Sequence, residues 1–490
     1  MKRPSRFDLW IGGAWNKATK YVAVATPYDG KPFVEVPEAS AAEMEQAIAA
    51  AAAARAKAAS LTPHERYRIL MGAARKLEED HALFAETIAL ESGKPLREAR
   101  SEVDRSIQTL QFSAEEAKRI HGEMLALDAH PAGKGRTGFT LRVPRGVIGC
   151  ITPFNFPLNL VCHKVGPALA SGNTVVVKPA EETPCSAYLL AMALAEAGCP
   201  EGFVNVSPGL GEIAGETLVT HKDVAMVSFT GSRAVGKHIR AVAGLKPVTL
   251  ELGGNSAVVI DSDADWQEAL DRFVLGSFAH SGQVCIHLQR IYCVGAGGGG
   301  AASRARAGDL VDALAAKAKG LKIGHPLDET AEVTSLIRVR DVERVCEWVG
   351  EARSQGAALA AGGSRQGRAT YLPTVLAEIR PGMKVSEEEI FGPVVGVASV
   401  DTFEEAIAAA NRTPYGLQAA VFTRDLEKAL RAAERVEAGG VMINDIPTFR
   451  VDQMPYGGMK ESGLGREGPK YACAEMTEQK TIVIRRTASR

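Results

Sequence analysis

Cys285 stands in "HSGQVCIHLQR" (280–290), Glu251 in "TLELGGNSAVVI" (249–260) and Asn155 in "ITPFNFPLNL" (151–160). A cysteine by itself reads as a small buried hydrophobe, because free cysteine is among the most buried residue types. Glu251 lies between apolar neighbours and ahead of two glycines that let backbone or ligand come close. Half desolvated there, its carboxylate is expected to have a raised pKa, towards the range useful for a general base. Asn155 sits between Pro153 and Pro157 in a stiff apolar turn, and an amide held so rigidly suits an oxyanion hole. Each of the three also has a purely structural reading. Together they describe acyl chemistry: a soft nucleophile, a donor where charge develops, and a base.

Two further segments suit a nucleotide. "VVVKPAEE" (175–182) ends an apolar strand with Lys178, followed three residues on by Glu181. At the end of a parallel strand such a pair can grip the two hydroxyls of a ribose, one as donor and one as acceptor; a surface ion pair is the equal alternative. "VSFTGSRAVGKHI" (227–239) reads as a strand, a Gly-Ser turn and a helix opening. That places first-turn N–H groups beside Gly231 and Ser232, where an anion would be stabilised. It is not the GxGxxG fingerprint, and a Gly-Ser turn alone is a weak phosphate signal.

The elements that must position these groups follow from the apolar pattern. Residues 40–90 are alanine-rich with charges at helical spacing, and Thr62-Pro63 has the form of a cap and first helical turn. From Val143 the text changes to short β-branched runs, such as "RGVIGCITP", "GNTVVVKPA", "AMVSFTGS" and "SAVVID", separated by helical stretches. Apolar strands alternating with helices predict a doubly wound parallel sheet that binds nucleotides at its carboxyl ends. A second alternation follows residue 285, with helices expected over 309–320, 341–356, 403–411 and 425–437, so a second α/β domain is expected. The tail "EQKTIVIRR" reads as a strand with no hairpin mate nearby, available to another sheet or another subunit. The segment "VGAGGGGAASRARAGD" (294–309) reads as a flexible surface loop.

At 490 residues, two or three domains are expected. A formal net charge of -1, with 46% hydrophobic and 23% charged residues, gives no field that would gather polyanions, so nucleic acid is not an expected partner. The eight cysteines form no CxxC pair, no metal set is read from the sequence, and a reducing compartment fits best. No apolar run has the length of a membrane span; a cytoplasmic protein is the expectation.

"TPFNFP", "KPAEETP", "FTGS", "LELGGNS", "GQVC", "EEIFGP" (388–393) and "MPYGGMKESGLGRE" (454–467) stand in an order and at a spacing that resemble the aldehyde dehydrogenase superfamily. The resemblance runs from about Trp10 to the C-terminal strand. Its look is closest to the branch of lactaldehyde, phosphonoacetaldehyde and non-phosphorylating glyceraldehyde-3-phosphate dehydrogenases. It implies an α/β fold of two doubly wound parallel-sheet domains, a Rossmann-type cofactor domain and a catalytic domain, plus a small β oligomerisation arm. The boundaries it implies are 1–120 and 146–250 for cofactor binding, 251–445 for catalysis, and 121–145 with 470–490 for the arm of a homodimer or dimer of dimers.

Carried over residue by residue, the resemblance makes Cys285 the nucleophile on a small-molecule aldehyde, Asn155 with the Cys285 N–H the oxyanion donors, and Glu251 the base that activates water on the thioester. Lys178 and Glu181 then hold the adenosine ribose, Gly231 and Ser232 the pyrophosphate, and Phe154, Glu389 and Phe391 the nicotinamide end. Glu181 repels a ribose 2′-phosphate, so NAD is preferred, with NADP still open. Glu251 argues for hydrolysis to the free acid. A coenzyme A-acylating enzyme and a non-catalytic relative of the same fold are the alternatives.

The elements that line the family's substrate tunnel offer Arg105, His163 and Arg450, and three such groups favour a substrate with its own anion. Against this, Arg105 can pair with Glu102 or Asp104, His163 can be a satisfied core histidine, and Arg450 can bind a facing subunit. His287 is expected to support the nucleophile and not to react. Two departures from the family pattern, the glycine run 295–300 and "VTSLI" (333–337), are expected not to touch the chemistry.

Overall fold

The valine-rich runs pair in parallel because both of their faces are apolar and only a sheet covered on two sides buries both. In the computed structural model, which describes residues 1–295 and 300–485, an eight-stranded sheet has the order Ala14–Asn16, Leu9–Ile11, Val204–Val206, Thr174–Lys178, Val147–Ile151, Val224–Thr230, Val248–Glu251 and Gly463–Leu464. The five strands from Val204–Val206 to Val248–Glu251 are mutually parallel, and the edges are antiparallel additions. A seven-stranded sheet runs Ala358–Ala361, Thr374–Ala377, Val394–Val400, Leu288–Val294, Ser256–Ile260, Gln418–Phe422 and Gly440–Ile443, parallel except at the first pair. The two sheets are joined where Val248–Glu251 leads through Gly253 and Gly254 into Ser256–Ile260. Asn155, Lys178, Ser232 and Glu251 all lie at or just beyond carboxyl ends of the first sheet's parallel strands, where open α/β sheets bind ligands.

The N-terminal helical layer forms as expected. Thr62 caps Pro63–Glu79 in a reciprocal capping box with Glu65, and Ser40 caps Ala41–Ser60 in the same way with Glu43. Helix Leu96–Ala117 packs on helix Asn159–Ala170, which is buried along its whole length. Among the described residues all eight cysteines are free, no helix is long and apolar enough to cross a membrane, and no cluster of three or more His, Cys, Asp or Glu side chains is placed to hold a metal ion.

The tail strand does add to another sheet, within its own chain: Thr477–Arg485 pairs antiparallel with Arg136–Pro144, more than 300 residues earlier, and Met124–Leu125 adds a third strand. Two expectations change. The segment 294–309 is not a loop throughout, since the helix Ala301–Gly320 begins inside it; alanine and arginine are strong helix formers and start the helix once the glycines end. Residues 296–299 of the glycine run lie outside the described residues. "VTSLI" does reach the chemistry, because it packs on the turn before Cys285, as described next.

Candidate functional site

Cys285 follows a turn in which His280, Ser281 and Gly282 all have positive φ (47°, 54° and 72°). For the two side-chain-bearing residues this costs about 1–3 kcal/mol each and needs support from outside. Glu98 Oε2 accepts from His280 N–H at 2.8 Å, Ser281 Oγ accepts from Thr334 N–H at 3.2 Å, and Gln283 Oε1 accepts from Ile337 N–H at 2.9 Å. Thr334 and Ile337 belong to "VTSLI", so that segment fixes the approach to Cys285. The Cys285 carbonyl packs so closely on Gly254 that any side chain there would collide with it. Its thiol is partly buried and lies 2.8 Å from the Tyr456 hydroxyl. Burial pushes the thiol up to about 11, opposed by that hydrogen bond and by the Arg450 charge.

Asn155 is buried, and its Nδ2 donates to the Gln283 carbonyl at 2.9 Å, two residues from Cys285. Its turn is held from below by Glu102, whose Oε1 accepts from the N–H groups of Leu158 (2.9 Å) and Asn159 (3.1 Å) while Oε2 takes the Lys94 ammonium. Lys94 and Glu102 are both fully buried, with Lys94 Nζ 3.8 Å from the Phe156 ring centroid. Removing one partner of such a pair strands the other charge. Glu102→Ala is therefore expected to lower stability by about 3–5 kcal/mol in chemical denaturation, whereas a loss below about 0.5 kcal/mol would show the pair to be dispensable.

Glu251 is buried and neither carboxylate oxygen has a hydrogen-bond partner. Desolvation, then repulsion from Glu467, raises its pKa well above the ordinary carboxylate value, against the pull of Lys164, Arg450 and Arg466. A Cβ on residue 457 would come within 2.9 Å of Glu251 Oε1, so Gly457 is required for the carboxylate to fit beside "PYGG". Cys285, Asn155, Glu251 and Tyr456 thus converge on the seam between the two sheets.

Arg105, His163 and Arg450 do come together, around two carboxylates that neither spacing nor motif singled out. Arg105 forks onto Asp452 (2.8 and 3.1 Å), and Asp452 Oδ1 also meets His163 Nε2 (2.8 Å) and accepts from Asn159 Nδ2 (3.0 Å). Arg105 therefore pairs with neither neighbour on its helix; Glu102 is engaged by Lys94 and Asp104 by His81 (2.9 Å). Arg450 NH2 sits 3.2 Å from both Glu467 Oε2 and His163 Nε2, and its Nε is buried without a partner. Glu467 is further bound by Lys164 at 3.0 Å, and although desolvation opposes it, Lys164 and Arg450 hold its pKa down to about 2. Burial, then the Arg450 charge, lowers the pKa of His163, against the pull of Asp452 and Glu467. Asp452 is held well below the usual range by His163 and Arg105 against the desolvation that raises it. Three cationic side chains, Arg105, Arg450 and Lys164, thus meet two carboxylates, Asp452 and Glu467, beside Glu251.

The nucleotide residues divide. Lys178 Nζ is buried and donates to the Gly209 carbonyl (2.8 Å) and the Pro179 carbonyl (3.1 Å), with Glu181 at 3.5 Å. Glu181, more exposed, accepts from Gly211 N–H at 3.0 Å in the single turn Gly211–Gly215. Ser232 caps helix Arg233–Val242 by accepting from Val235 N–H, but the Gly231 N–H bonds the Glu251 carbonyl (3.0 Å) and is not free for a phosphate. Glu389 Oε1 accepts from Gly254 N–H at 2.8 Å, and burial pushes its pKa up to about 7. Phe391, at φ 44°, sets its ring edge-on to Phe154 at 5.7 Å. A lysine and an exposed carboxylate at one strand end, a capped helix start, and a second buried carboxylate beside the cysteine suit the ribose, pyrophosphate and nicotinamide ends of NAD(P). His287 faces away, its Nε2 against the Ser277 carbonyl (2.9 Å), and burial lowers its pKa to about 4. It is a neutral core histidine.

The profile of the aldehyde dehydrogenase family matches residues 15–482. The 3-sulfolactaldehyde dehydrogenase of Priestia aryabhattai is 46% identical over 479 residues, covering 98% of this chain and 98% of that protein. The crystal structure of aldehyde dehydrogenase 21 from Physcomitrella patens, in complex with the reaction product succinate, superimposes with a TM-score of 0.94 at 37% identity, covering 99% of each chain. That of the glyceraldehyde-3-phosphate dehydrogenase GapN from Methanocaldococcus jannaschii, complexed with NADP, gives 0.89 at 38% identity over 95% of this chain and 99% of that one.

Proposed function

Because the chain belongs to the aldehyde dehydrogenase family, whose members are NAD(P)-dependent oxidoreductases of aldehydes, we propose that it oxidises a small anionic aldehyde to the free acid, with Cys285 as the nucleophile. The observation that carries the reading is the convergence of the Cys285 thiol, the Asn155 amide and the orphaned, buried Glu251 carboxylate on one seam.

The Cys285 sulfur attacks the carbonyl carbon, and the electron pair moves to oxygen to give a thiohemiacetal. Asn155 Nδ2, near by at Gln283, and the Cys285 N–H donate to that oxyanion. NAD(P), when bound, supplies the hydride acceptor that turns the thiohemiacetal into a thioester. Glu251 then takes a proton from water as the water oxygen bonds the acyl carbon, the thiolate leaves, and the acid is released. Lys178 and Glu181 hold the adenosine ribose, the helix opening at Ser232 the pyrophosphate, and Glu389, Phe391 and Phe154 the nicotinamide end. Glu181 beside a 2′-phosphate is unfavourable, so NAD is the preferred form.

Residues 1–120 and 146–250 form the cofactor half, 251–445 the catalytic half, and 121–145 with 470–490 the arm through which copies form a dimer or dimer of dimers. Exposed Met124, Leu141, Val483 and Ile484 on the three-stranded sheet support that arm.

The cations Arg105, Arg450 and Lys164, together with the buried unpartnered Nε of Arg450, support the anionic substrate. So do the names of the relatives, a sulfolactaldehyde dehydrogenase and a glyceraldehyde-3-phosphate dehydrogenase, and the succinate bound to a third. A charged hydrogen bond contributes about 1.5–3 kcal/mol. Arg105→Ala is accordingly expected to raise KM for sulfonate-, carboxylate- or phosphate-bearing aldehydes about 10- to 100-fold and to change neutral aldehydes of the same length little. Equal losses for charged and neutral substrates in an initial-rate panel would remove the anion site from the reading.

A further inference from the structure

A thiolate in a low-dielectric site needs donors, and burial here works against one. Neither neighbouring polar side chain bonds the sulfur: His287 faces the Ser277 carbonyl, and the Asn155 amide spends one N–H on the Gln283 carbonyl and keeps the other for the substrate oxygen. The contact made by the Cys285 sulfur is the Tyr456 hydroxyl at 2.8 Å.

Tyr456 is placed with unusual firmness. Its N–H donates to the Glu467 carbonyl (3.1 Å) and its carbonyl accepts from the Glu467 N–H (2.7 Å), so its backbone is locked to the residue that anchors Arg450 and Lys164. The ring is buried against Ile286 and Leu417. The Arg450 guanidinium lies over it, 3.7 Å from the centroid, clamped between Glu467 and His163. A cation on the face of a phenol draws density from the ring, which makes its O–H a stronger donor. Phenylalanine would fill the same space and keep the stacking, and would leave the sulfur with no donor.

We propose that Tyr456 is the hydrogen-bond donor that sustains Cys285 as a thiolate, and that Arg450, stacked on its ring, strengthens that donor. The thiol proton leaves to solvent and the phenol keeps its own. When sulfur bonds the carbonyl carbon its charge is discharged and the hydrogen bond weakens, so the contact favours the attacking state over the acyl state. The other charged groups facing the sulfur are Glu389 and Glu251, which oppose the thiolate when ionised; burial raises the pKa of both, Glu389 to about 7, so their opposition grows with pH and makes a donor at the sulfur the more necessary. Lys164 and Arg466 favour the ionised form of Glu251. Arg450 thus has a part in the chemistry that is separate from any grip on a substrate anion.

The proposal rests on Cys285 being the nucleophile, and alkylation separates the two. Iodoacetamide forms an S–C bond with release of iodide and reports thiolate content directly. For the parent enzyme, inactivation from pH 6 to 10 with peptide mapping is expected to place one label on Cys285 in step with lost activity. For Tyr456→Phe the apparent thiol pKa is expected to rise by about one unit, so that inactivation at pH 7 slows about tenfold, with NAD binding and thermal midpoint retained. Arg450→Lys is expected to slow alkylation in the parent background and not in Tyr456→Phe, because with the phenol gone there is no donor to strengthen. A Tyr456→Phe profile that superimposes on the parent overturns the proposal and leaves the nucleophile intact. A label that settles elsewhere while activity survives overturns the nucleophile itself.

Discussion

Cys285→Ala is expected to reduce NAD(P)H formation from aldehyde by about 10⁴-fold or more, with NAD binding unchanged, as removal of a covalent nucleophile does in other enzymes. The size of the effect follows from how little else in the seam can replace the sulfur. Tyr456 is a phenol whose pKa burial raises well above its usual value, so it does not become the nucleophile. Other cysteines near by in the chain are buried with raised pKa, Cys293 to about 12. Cys285→Ser should fall almost as far, since a hydroxyl in this site resists ionisation more than a thiol. The backbone groups that hold the turn, His280 N–H on Glu98 and the Gln283 side chain on Ile337, do not involve the sulfur, so the fold and the cofactor residues should survive. Isothermal titration with NAD and initial rates over a range of aldehydes check both halves. Residual turnover above about one hundredth of the parent would remove Cys285 from the mechanism, and a parent enzyme without activity on any aldehyde would favour the non-catalytic alternative.

The parts of this site that are legible in the sequence are those carried by local pattern. Lys178 and Glu251 end apolar strands, Asn155 lies in a proline-bounded turn, and Thr62 heads a capping box; each is read from a handful of adjacent residues, and each lies where the local pattern puts it. What spacing cannot show is which charges meet across the fold. Arg105 and Asp452 are 347 residues apart, Lys164 and Glu467 303, and Cys285 and Tyr456 171. Two arginines and a histidine therefore read as an anion site, while the two carboxylates and the lysine that meet them did not show. The same blindness to distance hid the mate of the tail strand in Arg136–Pro144 and the support that "VTSLI" gives to the strained turn. Glu467 closes the quoted "GLGRE" run and Asp452 precedes "MPYGG" by two residues, so adjacency to a motif was the available signal, without a role attached to it.

Glu251→Gln is expected to separate the two halves of the reaction. The amide keeps the shape of the carboxylate in a slot bounded by Gly457, so acylation of Cys285 should proceed and give a burst of about one NAD(P)H per active site, after which turnover should fall about 10²- to 10⁴-fold. The pH dependence has a definite sign. Desolvation and Glu467 raise the Glu251 pKa well above the ordinary value, so at low pH the side chain is protonated and cannot accept a proton from water. Below that pKa the ionised fraction grows about tenfold per pH unit, so steady-state turnover of the parent should rise with pH. Glutamine has nothing to titrate and should lose that limb. Stopped-flow mixing across pH 6 to 9 reads the burst and the limb in one experiment. An unchanged steady state in the glutamine variant would take the base role from Glu251. A variant whose turnover is restored by coenzyme A, where water fails, would instead identify the thiol of the coenzyme as the acceptor and make the acylating alternative the correct reaction.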